Sequence, residues 1–396
     1  MHPALTDDQL AHLVALRHNL HETPEVSGQE HGTAERILQE LLRAEADEIW
    51  TDLGGHGIAA SFDGTADGPT VMIRCELDAL PIHEVSDQPY RSKTDGKAHL
   101  CGHDGHMAMV LGLGLALAKR PARGRVILLF QPAEETGAGA AAVIADPRWA
   151  EIQPDYAFAF HNVPGHPFGQ IGLRKGPANC ASRGMKISFQ GRTSHAAAPE
   201  NGVSPASVMA SLMQTLPTLG GAQTPHSDIA LATLTHVSLG EPSFGIAPGV
   251  GEMRITLRSQ SDTRMEQMIA DAKDLLAHSL QHDPRLAADL TWHEVFLATT
   301  NDADAIDIAA DAAGKIGLES DSMTSPMRWS EDFGRFGIDG AKAALLFLGS
   351  GKEHPQLHNP NYDFPDALIP IGVSLFVEII DQILCQPAPA IAPTNG

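Results

Sequence analysis

Met185-Lys186-Ile187-Ser188-Phe189-Gln190 decides how the chain reads, because apolar and polar side chains alternate strictly over six residues. A period of two sets one face of a strand in a core and the other in water. Beyond it come a helical pattern over Ser204–Leu216, a strand over Ile229–Val237 and a second alternating strand over Glu252–Arg258. A long helical pattern over Thr263–Gln281 and a last strand at Ala288–Glu294 follow. The order βαββαβ predicts a two-layer, ferredoxin-like unit.

On either side of this unit the pattern changes. Thr70–Ile73, Val126–Phe130, Tyr156–Phe160 and Ala343–Leu348 are short continuous apolar runs closed by charge, proline or glycine. Parallel strands buried on both faces read this way. Asp104–Lys119 forms an apolar helix between the first two runs, and Ala305–Ile316 gives a further helix. Ala34, Ile37, Leu38, Leu41 and Leu42 fall at helical spacing within an opening segment, Thr6 to Ala44. Strands alternating with helices predict an α/β domain with its sheet covered on both faces. Because that pattern resumes after the βαββαβ stretch, residues 182–294 are expected to be an insertion into a discontinuous domain of residues 1–181 and 295–396.

A length of 396 residues suits two or three domains, and 49 acidic against 27 basic residues give a formal charge of −22. Such a field repels nucleic-acid and anionic membrane partners. Four cysteines (Cys75, Cys101, Cys180, Cys385) are too few for a disulfide framework and point to a reducing compartment. The opening MHPALTDDQL lacks the basic and apolar regions of a signal peptide, and no uninterrupted apolar run reaches 18 residues. A cytoplasmic location is expected.

Chemistry concentrates where the apolar strands end. Cys101-Gly102-His103-Asp104-Gly105-His106 opens the apolar helix, where free N–H groups and the dipole are expected to lower a thiol's pKa. Gln131-Pro132-Ala133-Glu134-Glu135 follows the run Val126–Phe130, so two adjacent carboxylates stand at a strand's carboxyl end, where α/β sheets hold ligands. One carboxylate on a metal and its neighbour as general base is a natural division. Tyr156–Phe160 runs into His161-Asn162, and Leu357-His358-Asn359-Pro360 follows the last apolar run after a short loop. One thiolate, three imidazoles and one carboxylate exceed the three or four protein ligands of a single zinc, so two divalent ions are the simpler count. Mixed N, O and S donors favour Zn2+ first, with Mn2+, Co2+ or Ni2+ as alternatives.

These motifs resemble the amidohydrolase branch of the dinuclear metallopeptidase and aminoacylase family, with its hippurate hydrolases, N-acyl-amino-acid deacetylases and indole-acetyl-amino-acid hydrolases. The resemblance runs from Arg17-His18-Asn19-Leu20-His21 and Pro24-Glu25 through Arg74-Cys75-Glu76-Leu77-Asp78-Ala79-Leu80-Pro81 and the motifs above to Ser330-Glu331-Asp332-Phe333. It implies a zinc-exopeptidase-like catalytic domain with a mixed, largely parallel sheet, interrupted by a βαββαβ lid through which homodimers form. It implies metal ligation by Cys101, His103, Glu135, His161 and His358, with Glu134 as the base and Asp78 orienting a ligand imidazole. It further implies that His195, in Gly191-Arg192-Thr193-Ser194-His195, stabilises the oxyanion and that Arg258 takes a substrate carboxylate; Arg254, four residues earlier on the same strand face, is either a second cation or a solvated side chain. Two positions depart from the family pattern: Gly245 stands where relatives carry an asparagine beside the substrate, and Cys75-Glu76 where they usually carry Ala-Asp. The implied activity is hydrolysis of an N-acyl amino acid or similar small amide without an organic cofactor. A dipeptidase or carboxypeptidase of the same family, or a catalytically silent metal-binding relative, are the alternatives.

Overall fold

The computed structural model describes residues 4–221 and 228–385. Its strands are, in chain order, β1 (Glu48–Leu53), β2 (Gly57–Asp63), β3 (Thr70–Glu76), β4 (Arg125–Gln131), β5 (Tyr156–Pro164), β6 (Ile171–Leu173), β7 (Gly176–Asn179) and β8 (Ala181–Gln190). There follow β9 (Ser194–His195), β10 (Ala230–Leu239), β11 (Ile246–Ala247), β12 (Val250–Ser259), β13 (Ala287–Phe296), β14 (Thr299–Asn301), β15 (Ser320–Ser322) and β16 (Lys342–Gly351).

The larger sheet has the order β1-β2-β4-β3-β5-β16-β6-β15. β4, β3, β5 and β16 run parallel at its centre, and β2 and β6 flank them antiparallel. The sheet is therefore mixed and largely parallel, and each of the four apolar runs lies inside one of the central strands. Both faces are covered. Val71, Ile73, Leu128 and Phe158 pack with Leu13, Ile37, Met107 and Phe376, which come from helices Asp7–Glu22, His31–Arg43, His103–Ala116 and Ile369–Leu384. Met72, Ile127, Leu129 and Leu345 point the other way, toward Trp50, Trp149, Phe333 and Phe336. Each such side chain contributes about 1.5–3 kcal/mol by leaving water.

Three details differ from the sequence patterns. The opening helical segment is two helices, Asp7–Glu22 and His31–Arg43, separated where Pro24 and the left-handed Gly28 (φ 78°) fall. β1 and β2 form an antiparallel pair that polar residues had obscured, turned by Gly54 and Gly55 at φ 59° and 128°. The segment Asp366–Leu384 has the length and apolarity to cross a membrane, yet Phe376, Ile380 and Leu384 belong to the main apolar cluster, as in a core helix.

A second sheet, antiparallel throughout, has the order β10-β12-β8-β13. Met185, Ile187 and Phe189 of β8 and Met253, Ile255 and Leu257 of β12 face helices Ala206–Thr215 and Asp262–Leu280 in a separate apolar cluster. The intervening side chains on these strands are more exposed, as the alternation requires.

One close approach ties this packing to the chemistry. Gly105 lies in the first turn of the helix that opens at His103, and a Cβ there would overlap the ring of buried Phe364. Gly105→Ala should cost about 1–3 kcal/mol by overpacking, read as a lower midpoint in thermal unfolding.

Candidate metal centre

The parallel centre of the larger sheet fixes where the functional side chains meet. Parallel strands end on one edge, and Asp78 after β3, the Glu134–Glu135 pair after β4 and His161 within β5 all emerge there. Cys101 and His103 arrive at the start of the helix His103–Ala116, and His358 on the loop after β16. Cys101 Sγ is 3.5 Å from His161 Nε2 and 3.4 Å from His358 Nε2. Glu135 Oε1 lies 3.7 Å from His358 Nε2 and 3.9 Å from His103 Nε2, and Glu134 Oε2 lies 4.0 Å from His103 Nε2.

The tautomers suit metal binding. His103 Nδ1 donates to the Asp78 carbonyl at 2.8 Å, and His161 Nδ1 donates to the Asn162 carbonyl at 2.9 Å. Each bond leaves Nε2 bare and aimed into the cluster, which is how a ligand imidazole is presented. His103 Nε2, Glu135 Oε1 and Asp78 Oδ1 are buried without a hydrogen-bond partner among the described residues. Buried polar atoms seldom go unsatisfied unless something else binds them. The soft thiol, bare imidazoles and carboxylates therefore fit a divalent cation, and Cys101, His103 and His161, or Cys101, Glu135 and His358, lie close enough together to share one.

His106, the last residue of the same motif, is otherwise engaged. Its Nδ1 lies 2.6 Å from Glu76 Oε2 and its Nε2 2.6 Å from Asn162 Oδ1. Asp78, whose carbonyl meets His103, also takes the Glu135 N–H at 3.0 Å through Oδ2.

Electrostatics correct one expectation. Burial and the charges of Glu135, Glu134 and Glu76 push the Cys101 thiol well above its usual range, where a lowered one was expected. A thiolate here calls for a cation. Glu134 is likewise held well above the usual carboxylate range by burial and by Glu331, Glu135 and Asp332, with Arg74 opposing. Fully buried Arg74 contacts Glu76, Glu331 at 3.0 Å and Asp332 at 2.7 Å. Sequence spacing gave no role to Glu76, His106, Asn162, Glu331 or Asp332; the only sign was that each sits in or beside a quoted motif.

Cys101, Glu134, Glu135, His161 and His358 line a cavity of about 250 Å³. Val163, Pro164, Phe296, Trp329 and Leu357 form its apolar walls. Arg258 stands at its edge, donating to the Ser330 hydroxyl at 2.9 Å. Arg254 does not join it; its guanidinium is taken by Glu252 at 2.6 Å on the outer part of the second sheet. His195 and Gly245 do not line the cavity either. His195 is exposed on β9, paired with Ile246 of β11, and Gly245 is exposed with open space where a side chain would stand.

Residues 72–382 match the family described as peptidase family M20/M25/M40. The chain is 28% identical over 376 residues to an N-acetylcysteine deacetylase of Bacillus subtilis (strain 168), covering 94% of this chain and 97% of the relative. It is 28% identical to a hippurate hydrolase of Campylobacter jejuni, covering 92% and 94%. A solved structure from Bacillus subtilis, described as a dinuclear metal-binding peptidase of the M20 family, superposes with a TM-score of 0.77 at 26% identity, covering 96% and 99%. The chain belongs to peptidase family M20/M25/M40 and is an amide-bond hydrolase.

The buried charges set a pH dependence for the metal-free protein. Burial lifts Glu135 and Asp332 to about 7, against His103 and Arg74 respectively. Burial opposes the charging of His103 and His21, yet Glu76 lifts the former to about 8 and Asp104 the latter to about 9. A pKa raised on folding gives stability that is lost as pH rises through the folded value. His99 and His358, lowered by burial to about 3 and about 4, change only below the ordinary histidine range. Denaturant unfolding of chelator-treated protein should therefore show stability falling as pH rises from about 6.5 to 9.

Proposed function

We propose that this enzyme is a dinuclear metal amidohydrolase that removes an apolar acyl group from an N-acyl amino acid. What carries the reading is Glu134, buried beside His103 and Glu135, lining a cavity whose apolar walls include Val163, Phe296, Trp329 and Leu357. The names of the deacetylase and hippurate hydrolase relatives support it. Two divalent ions, Zn2+ first and Mn2+, Co2+ or Ni2+ as alternatives, would be held by Cys101, His103, Glu135, His161 and His358, and would supply Lewis-acid polarisation of the acyl carbonyl and a more acidic water.

The chain's own groups do the rest. Glu134, its proton affinity raised by burial and by neighbouring carboxylates, takes a proton from water and passes it to the departing amine. Asp78 fixes His103 through its carbonyl and holds the Glu135 backbone through its carboxylate. The apolar walls take the acyl group, and Arg258 pairs with the amino-acid carboxylate. Gly245, where relatives carry asparagine, stands outside the cavity of its own chain and has no side chain to offer a substrate.

Residues 182–294 serve in this reading as an inserted lid and dimerisation domain. His195, outside the cavity of its own chain, would then stabilise the oxyanion from the lid of a second copy. Exposed Phe244, Ile246 and Val250 near the β9–β11 ribbon support a homodimer. A cytoplasmic setting accords with four free cysteines, three of them buried. The net charge of −22 fits a small-molecule substrate rather than nucleic acid or an anionic membrane.

The reading is tested by amine release from N-acetyl, N-benzoyl and N-indoleacetyl amino acids and from simple dipeptides, before and after chelation and with each metal restored. Metal-dependent turnover of the N-acyl compounds is expected; turnover of dipeptides alone would make the enzyme a dipeptidase. Glu134→Gln should lower kcat by about 10²–10⁴-fold while metal content, read by elemental analysis, stays at the parent level. Arg258→Ala should raise KM by about 10–100-fold, the loss of a charge-assisted pair, with a smaller change in kcat.

A further inference from the structure

The base Glu134 follows a residue in an uncommon conformation. Ala133 has φ 50°, the left-handed region that costs a residue with a Cβ about 1–2 kcal/mol. Neither end of the turn is left to itself. Gly139 N–H and the Thr136 hydroxyl donate to the Ala133 carbonyl at 3.1 Å and 3.2 Å, and Gly137 N–H donates to the Glu134 carbonyl at 2.7 Å. The remaining polar group of Ala133, its N–H, donates at 2.8 Å to Oε1 of Glu30.

Glu30 comes from 103 residues away and has no exposed surface. It ends the short segment that separates the first two helices. That segment grips the site a second time: Ser27 Oγ donates to Asp78 Oδ2 at 2.6 Å, the same oxygen that receives the Glu135 N–H at 3.0 Å. It is fixed to the sheet by the Ala79 N–H, which donates to the Glu25 carbonyl at 2.8 Å, and by a parallel bridge between Val26 and Ala79. A buried carboxylate is costly to keep, and beside the backbone of its own segment at Gly28 and Glu30 this one receives the strained amide next to the base.

We infer that Glu30 is a positioning residue for the hydrolysis, its carboxylate holding Ala133 in the left-handed conformation that aims Glu134 at the substrate. The inference rests on the amidohydrolase reading above for the role of Glu134. Glu30 touches no substrate and supplies no metal ligand. Its effect passes through the backbone of Ala133.

The test uses full-length, metal-reconstituted enzyme carrying Glu30→Met, Glu30→Asp, Glu30→Gln, Ala133→Gly and the pairs of the first two with Ala133→Gly. Losing or shortening the acceptor should lower kcat by about 10–100-fold, the scale of a misplacement near 1 Å, with KM and metal content within about threefold of the parent. Glu30→Gln keeps a carbonyl oxygen for the amide and should retain most of kcat. Ala133→Gly, which admits positive φ freely, should restore at least about tenfold in the Glu30→Met or Glu30→Asp background. Should the methionine variant fail to fold, the aspartate series carries the same comparison.

Unchanged kcat in both acceptor variants, equal loss in Glu30→Gln, or no restoration by Ala133→Gly would overturn the inference. A parent enzyme silent on every amide would instead overturn the functional reading. The structural arm then still decides: in a crystal structure of Glu30→Asp, Ala133 should leave the left-handed region and the Glu134 carboxylate should shift away from His103, and an unchanged turn would refute the assignment.

Discussion

Like charges buried side by side repel strongly, and this fold buries Glu76, Asp78, Glu134, Glu331 and Asp332 around one sheet edge, with Glu135 at the cavity wall. Arg74 offsets part of that repulsion by reaching Glu76, Glu331 and Asp332 at once. The remainder is visible as carboxyls lifted above their ordinary range and as unpartnered oxygens and nitrogens pointing at one another. A site so built is stable in its charged form only with added positive charge. The demand for cations thus follows from the electrostatics of the scaffold as well as from the identity of the ligands.

The scaffold answers with rigidity from several directions. Arg17, fully buried, binds Asp104 at 2.8 Å, Asp366 at 3.2 Å and Asp363, joining the helix start that carries His103 to the loop after His358. His358 itself is held at φ 65°, its N–H donating to the Leu100 carbonyl at 2.8 Å. Strained backbone at two site residues, Ala133 and His358, persists because packing and hydrogen bonds around them leave no cheaper arrangement. The apolar cluster beneath the helix His103–Ala116 and the packing of Phe364 on Gly105 set the depth at which that helix starts.

Much of this was legible in the chain. The four central strands could be read because burial on both faces demands unbroken apolar runs, and strands β8 and β12 because burial on one face demands alternation. The residues that converge at the sheet edge were legible because parallel strands must end together. The β1–β2 pair was not, since an edge hairpin need bury little and its polar residues break the pattern. Arg254 and Arg258 stand four residues apart on one face of a strand, and only packing against Glu252 or Ser330 shows how differently they are placed. The Cys101 thiol was misjudged because a helix end is local in sequence, whereas burial and the carboxylates from other strands, which push the thiol up, are not.

By itself the sequence determined the types of the central elements, the strand ends that carry chemistry and the candidate donors, because periodicity and residue chemistry are local properties. Only the tertiary structure decided which histidine nitrogens are bare, that His106 is engaged by Glu76 and Asn162, that His195 stands outside the cavity of its own chain, and that Glu30 reaches Ala133. Those depend on contacts between residues as many as 257 positions apart, such as Cys101 and His358. Their energies, hydrogen bonding and charge repulsion in a buried setting, act through space over a few ångströms and leave no periodic trace along the chain.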